Sequence, residues 1–328
     1  MAQPRDGEPF VSTGALPPPD VVRALVAEAH SRFKRMDSGT VSQVYPALAQ
    51  VAPELFGVAV VSARGRIYEA GEVDVPFTLM SVAKPFTFAV VCGELGAAAA
   101  RKRIGMNATG LPFNSAQAIE RSPDGRTNPM VNAGAIVTAS LVPGVGEEKW
   151  ERILASLSAF AGRQLAVDEK MLESVRATNH TNRALAFLLH ERRLLGCEPD
   201  FALELYSRQS SVQVTAHDLA VMGATLGDGG VNPITKEQVV SADACMHTLA
   251  AMITAGMYEA SGDWLYHVGH PGKSGISGAI VTAAPGKAGL AVYSPAIDGV
   301  GNSVRGQAVA TFLARELGLH LLQSVPAG

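Results

Sequence analysis

FTLMSVAKPF, residues 77–86, carries an apolar approach, a single serine, a lysine three residues on and a proline directly behind it. Proline is tolerated in a helix only where its missing N–H had no partner to lose, so Pro85 sets a helix start close to Ser81. Residues three apart share a helix face, which brings the Ser81 hydroxyl and the Lys84 amine within reach of each other. A serine is a poor nucleophile without an adjacent base. A lysine becomes that base when burial lowers its pKa toward neutrality, and the apolar neighbours here supply the burial. At the mouth of a helix, developing negative charge is also favoured by the helix dipole. The stretch therefore reads as a nucleophile with its base one turn inside.

Further along the chain, Lys273-Ser274-Gly275 stands just before two strand-like runs. A Ser-x-x-Lys helix combined with a Lys-Thr/Ser-Gly strand edge resembles the serine penicillin-recognising enzymes. Gly275 would let a substrate approach the edge backbone, whose N–H could complete an oxyanion hole. The flanking elements agree with that plan. Phe56 to Val61 reads as a buried strand, with Ile67-Tyr68 as its hairpin partner across Arg64-Gly65. Ile280 to Ala283 and Leu290 to Tyr293 read as strands about a turn at Pro285-Gly286, and Ser303 to Leu317 as a closing helix. Between them, from Ser81 to about Ala260, the signals are mostly helical.

The fold class predicted is α+β: one antiparallel sheet built from both chain ends (about 55–80 and 272–320), with a helical part over about 81–260. Residues 1–19, rich in Pro and Gly, read as a flexible arm, and 20–328 as a single catalytic domain. Asp20 is the expected N-cap of a helix running from Val21 to about Arg35.

With 328 residues, 47% of them hydrophobic, the chain buries a large core, and its net charge of −3 gives no reason to expect nucleic acid or an anionic membrane as partner. Three scattered cysteines suggest neither a disulfide framework nor a zinc site, so no metal or cofactor is expected. MAQPRDGEPF holds no apolar signal core, and no run of about 18 apolar residues is present, which points to a cytoplasmic protein.

Longer runs narrow the family. Asn128-Pro129-Met130-Val131-Asn132-Ala133-Gly134-Ala135-Ile136 resembles the Asn-Pro-x-x-Asn-Ala-Gly-Ala run of the bacterial-type glutaminases, serine enzymes with a β-lactamase/transpeptidase-like fold. Gly110 to Ser115, Gly256 to Gly262, Lys273 to Gly278 and Gly301 to Gly306 continue the resemblance in order, from about Val44 to Leu317. It implies an amidohydrolase that converts the side-chain amide of L-glutamine to glutamate and ammonia through a seryl ester. Ser81 would be the nucleophile and Lys84 its base, with the backbone N–H groups of Ser81 and Ile276 as oxyanion hole. Tyr45 and Tyr258 would relay protons, while Asn132, Asn182 and Tyr206 surround the amino-acid end of the substrate. A homodimer or homotetramer is implied as well.

Two positions depart from the pattern. Met80 stands where the family has Gln, and Ser174-Val175 where it has Ser-Glu, the acid expected to pair with the substrate's α-ammonium. Glu173 lies two residues away, about 200° around a helix, and cannot take over. The alternatives are a relative acting on a small primary amide without a free α-ammonium, a β-lactam-binding acyl-serine enzyme, and a non-catalytic relative.

Overall fold

The computed structural model describes residues 14–323, so the expected arm falls largely, over 1–13, outside the described residues. In chain order the elements that matter here are α1 (Pro19–Phe33), β1 (Gly57–Ser62), β2 (Ile67–Gly71), α2 (Lys84–Leu95), α3 (Asn132–Leu141), α4 (Glu169–Thr178), α5 (His180–Glu191), α6 (Pro199–Ser210), α7 (Ala216–Gly227), α8 (Ala242–Ala255), β3 (Gly272–Gly275), β4 (Ala279–Ala284), β5 (Ala288–Tyr293) and α9 (Val304–Glu316).

The five strands form one antiparallel sheet in the order β2-β1-β5-β4-β3. The two chain ends meet at the β1–β5 pairing, where Gly57 faces Tyr293 and Ser62 faces Ala288. Both hairpin turns fall where expected, with Gly65 and Gly286 supplying the positive φ that each turn needs. The lysine-bearing strand β3 is an edge strand.

Alternation along the strands sorts side chains to two cores. Val58, Val60, Ile280, Leu290 and Val292 join α1 and α9 on one face. Ala59, Val61, Val281 and Ala291 join the helical part on the other. Because both faces are covered, β1, β4 and β5 read in sequence as unbroken apolar runs. Helix α7 lies directly across this second face. At Gly289 an added Cβ would stand 2.1 Å from the Ala224 backbone nitrogen, so the close approach requires glycine.

The α+β reading and the sheet made from both chain ends therefore hold. Two local expectations do not. Asp20 is not the cap of α1: Pro19 occupies the first helical position, Pro18 precedes it, and Asp20 sits in the first turn. The nominally helical stretch also contains two very short strands, Ala166–Val167 and Val212–Val214. They pair with each other, and Val212–Val214 also pairs with Phe77–Thr78 just before the stretch, all too briefly to leave a period-2 signal. No described helix is long and apolar enough to cross a membrane.

Candidate active site

Ser81 lies in a 3-10 turn, Met80–Ala83, that runs straight into α2, with Lys84 and Pro85 as the first two helical residues. The turn is shaped by Met80, whose φ of 47° is left-handed. An L-residue held there costs about 1–2 kcal/mol, and such strain collects at functional sites. Tyr258 is held in the same region at φ 57°.

A cavity of about 100 Å³ opens over Ser81, and Tyr45, Asn132, Asn182, Tyr206 and Ile276 line it with the serine. Lys84 lies beneath, fully buried, and Tyr258 stands beside it with its ring against Phe113, 4.6 Å between centroids. All eight residues expected from the sequence thus converge from separate parts of the chain. The edge strand closes one wall: an added Cβ at Gly275 would come 3.1 Å from the Leu79 carbonyl and 3.4 Å from the Val82 nitrogen. That places Ile276, the next residue, against the turn carrying Ser81.

Asn132 organises the polar floor. Its Oδ1 accepts from Lys84 Nζ at 2.7 Å and from the Tyr206 hydroxyl at 3.1 Å, and its Nδ2 donates to Asn182 Oδ1 at 2.8 Å. The side chain makes no capping bond at the start of α3. Its backbone N–H donates to the Phe113 carbonyl at 2.8 Å. Helix α3 approaches this floor closely because residue 134 is glycine, where a Cβ would stand 1.8 Å from the Asn128 carbonyl oxygen.

Burial lowers the Lys84 pKa to about 7. Lys273, also fully buried, is pushed well below its usual value by burial and then by the nearby Lys84. Its Nζ donates to the Gly256 carbonyl at 2.8 Å and to the Ser274 carbonyl at 2.6 Å, 4.2 Å from the Tyr258 ring centroid. Tyr206 and Tyr258 move the opposite way: burial raises both phenols, whose hydroxyls donate to Asn132 Oδ1 at 3.1 Å and to the Ser274 carbonyl at 3.0 Å respectively. Near neutral pH the tyrosines are therefore proton donors, and Lys84 is poised to accept. Among the described residues Lys84 makes no direct hydrogen bond to Ser81; besides Asn132 it reaches the Met130 carbonyl at 3.4 Å. Unliganded catalytic hydrogen bonds are often long and tighten with substrate.

The two departures of sequence meet in space. Met80 and Val175 share a small apolar cluster with Leu48 and Met171, against which Tyr45 and Ile276 pack. Only Met80 reaches the cavity wall; Val175, 1% exposed, sits behind it. Glu173 is exposed and lines nothing here.

Sequence reasoning missed Asn179. This buried residue joins α4 to α5, accepts from Asn182 Nδ2 at 2.6 Å and donates to Ser207 Oγ at 3.1 Å, so it extends the amide row. An asparagine between two helical patterns was the available signal, but it reads first as a cap. Phe113, quoted above only as part of a run, also proves to be a wall of the cavity.

The family model for glutaminase matches residues 39–322. Glutaminase 2 of Yersinia pestis is 54% identical over 318 residues, which cover 97% of this chain and 94% of that protein. The solved structure of a probable glutaminase, ybaS, matches with a TM-score of 0.91 at 40% identity, over 93% of this chain and 99% of its own. Mglu in its glutamate form matches with a TM-score of 0.87 at 34% identity, over 93% and 71% respectively. With the match running through every wall of the cavity described above, this chain belongs to the glutaminase family.

Proposed function

We propose that the protein hydrolyses the side-chain amide of L-glutamine to glutamate and ammonia through an ester on Ser81. Lys84, as neutral amine, takes the Ser81 proton while Oγ bonds to the amide carbon. The oxyanion formed is held by the backbone N–H groups of Ser81 and Ile276. Collapse of that intermediate breaks the C–N bond, and the proton held by Lys84, passed through Tyr258 or Tyr45 to the nitrogen, lets it leave as ammonia and restores the neutral amine. Water then adds to the γ-glutamyl ester, Lys84 again accepting a proton, and glutamate leaves as Ser81 Oγ is reprotonated. Asn132, Asn182 and Tyr206 bind the amino-acid end.

One observation carries this reading: a fully buried lysine with a pKa near 7 lies one turn from a serine that faces a cavity. Reaction in the cytoplasm by a homodimer or homotetramer belongs to the same reading and rests on the sequence and the family resemblance. The test is ammonia release from glutamine by wild type and by Ser81→Ala. Loss of the nucleophile and its base is worth several orders of magnitude in turnover. Equal rates in the two proteins would remove Ser81 from the mechanism.

A further inference from the structure

The amides that reach Lys84 form a single file with one direction. Ser207 Oγ on α6 donates to the Leu203 carbonyl at 2.8 Å, so its oxygen is left to accept, and Asn179 Nδ2 donates to it at 3.1 Å. That turns Asn179 Oδ1 toward Asn182, whose Nδ2 donates to it at 2.6 Å. Asn182 Oδ1 in turn accepts from Asn132 Nδ2 at 2.8 Å, and Asn132 Oδ1 accepts from Lys84 Nζ at 2.7 Å. A backbone carbonyl can only accept, so the far end of the file decides which way every amide faces. Asn132, Asn182, Asn179 and Ser207 are all buried, where an amide turned against its neighbours would leave donor facing donor.

The direction matters because a neutral amine both donates and accepts. In that form Lys84 has two hydrogens and one lone pair. Asn132 Oδ1 and, at 3.4 Å, the Met130 carbonyl take the hydrogens, which leaves the lone pair for the Ser81 proton. With the Asn132 amide turned over, its Nδ2 would instead donate to that lone pair, and the base would be spent on its neighbour. The Tyr206 hydroxyl, the other partner of Asn132 Oδ1, can donate or accept and so does not decide the matter. The titratable groups about Lys84 are Lys273 on β3 and Tyr206, with its ring centroid 5.8 Å from Nζ, and beyond them Tyr45 and Tyr258. Asp243 of α8 acts on Cys92, about two turns further along α2.

We propose that Asn179 is a positioning residue for the base: acting through Asn182 and Asn132, it holds the Asn132 amide with its oxygen toward Lys84 and so keeps the Lys84 lone pair free for Ser81. The inference rests on the acyl-serine reading above and adds no bond-making step to it. Asn179 itself hydrogen-bonds only within the file, to Asn182 and Ser207, so its effect on turnover is carried by the two amides between it and the lysine.

The test is the pH dependence of kcat for ammonia release from L-glutamine by the full-length protein. Asn179→Leu, similar in volume, removes both the acceptor and the donor. It should lower kcat on the alkaline plateau by about 10–100-fold. Its acid limb should move to lower pH, because an Asn132 amide free to donate to Lys84 favours the neutral amine. Asn179→Asp keeps an oxygen for Asn182 and should restore much of that kcat, with the acid limb now above the wild-type position through the added charge. A folded Asn179→Leu with wild-type kcat and acid limb, or one changed in KM alone, overturns the inference while leaving Ser81 and Lys84 in their roles. So does an aspartate variant as slow on the plateau as the leucine one. If Asn179→Leu does not melt cooperatively, Ser207→Ala removes the anchor of the file with a smaller change, and its acid limb should move the same way; an unmoved limb overturns the inference. Wild-type protein that releases no ammonia, or Ser81→Ala with wild-type turnover, overturns both this inference and the acyl-serine reading.

Discussion

Lys84 carries the sharpest conflict in the molecule, because its charge is unwelcome where the proposed reaction needs a base. An unfolded lysine titrates near 10.5, and this one at about 7. Between those values the unfolded chain holds more protons than the folded one, so stability rises with pH from about 7 to about 10.5; below 7 the full penalty of the buried ammonium is present. Lys84→Met should therefore abolish turnover while stabilising the fold at neutral pH by about 1–3 kcal/mol, a rise of a few degrees in Tm. It should also lose part of the stability slope above pH 7, leaving the contributions of the other lysines whose pKa burial lowers, Lys273 and Lys149. A thermal-melt series across that pH range checks it, and a lower Tm at neutral pH contradicts it. In the wild type, activity should fall as pH drops below 7 and the base is protonated. Lys84 was legible in the sequence because proline, serine and an apolar surround constrain the same few positions. Asn179 was not, because its partner Asn182 is close in sequence but the purpose of the pair depends on Asn132, some 50 residues away.

At the scale of elements, the site depends on how closely helices and strands approach. Helix α3 delivers Asn132 only because Gly134 lets it lie on the Asn128 backbone. Gly134→Ala must push those segments apart, since its Cβ would meet the backbone of Asn128 rather than a flexible side chain. The expected cost is about 1–3 kcal/mol or more. A displacement of about 1 Å at Asn132 and Lys84 should lower kcat/KM by about 100-fold. Gly262→Ala is the control: its Cβ meets nothing within 4 Å, so it should leave both quantities nearly unchanged. Normal activity and Tm in Gly134→Ala would show that the approach is not needed. The long strands β1, β4 and β5 were readable from their apolar runs, whereas the two- and three-residue strands at Phe77, Ala166 and Val212 were not. Their pairing is dictated by where α2, α6 and α7 bring the chain, and local pattern cannot show that.

Across the whole molecule, the active site sits where the sheet meets the helical part, and the sheet itself needs both chain ends. Arg305, on α9, holds that closure: its guanidinium donates to the carbonyls of Met36 at 2.8 Å and Glu54 at 3.2 Å, tying the C-terminal helix to the approach to β1. The same C-terminal region caps the site, because the turn fixed by Asp298 brings Gly301 beside the Tyr258 ring. That is the physical sense of the run Gly301 to Gly306, visible in sequence only as part of a resemblance. The proposed reaction turns on one event, formation of an ester on Ser81, and intact-mass spectrometry of the full chain tests it directly. Trapping with an amide-mimicking electrophile should add the acyl mass once per chain to wild type and leave Ser81→Ala unmodified. Equal labelling of the two proteins, or a label mapped to another residue, would contradict the account.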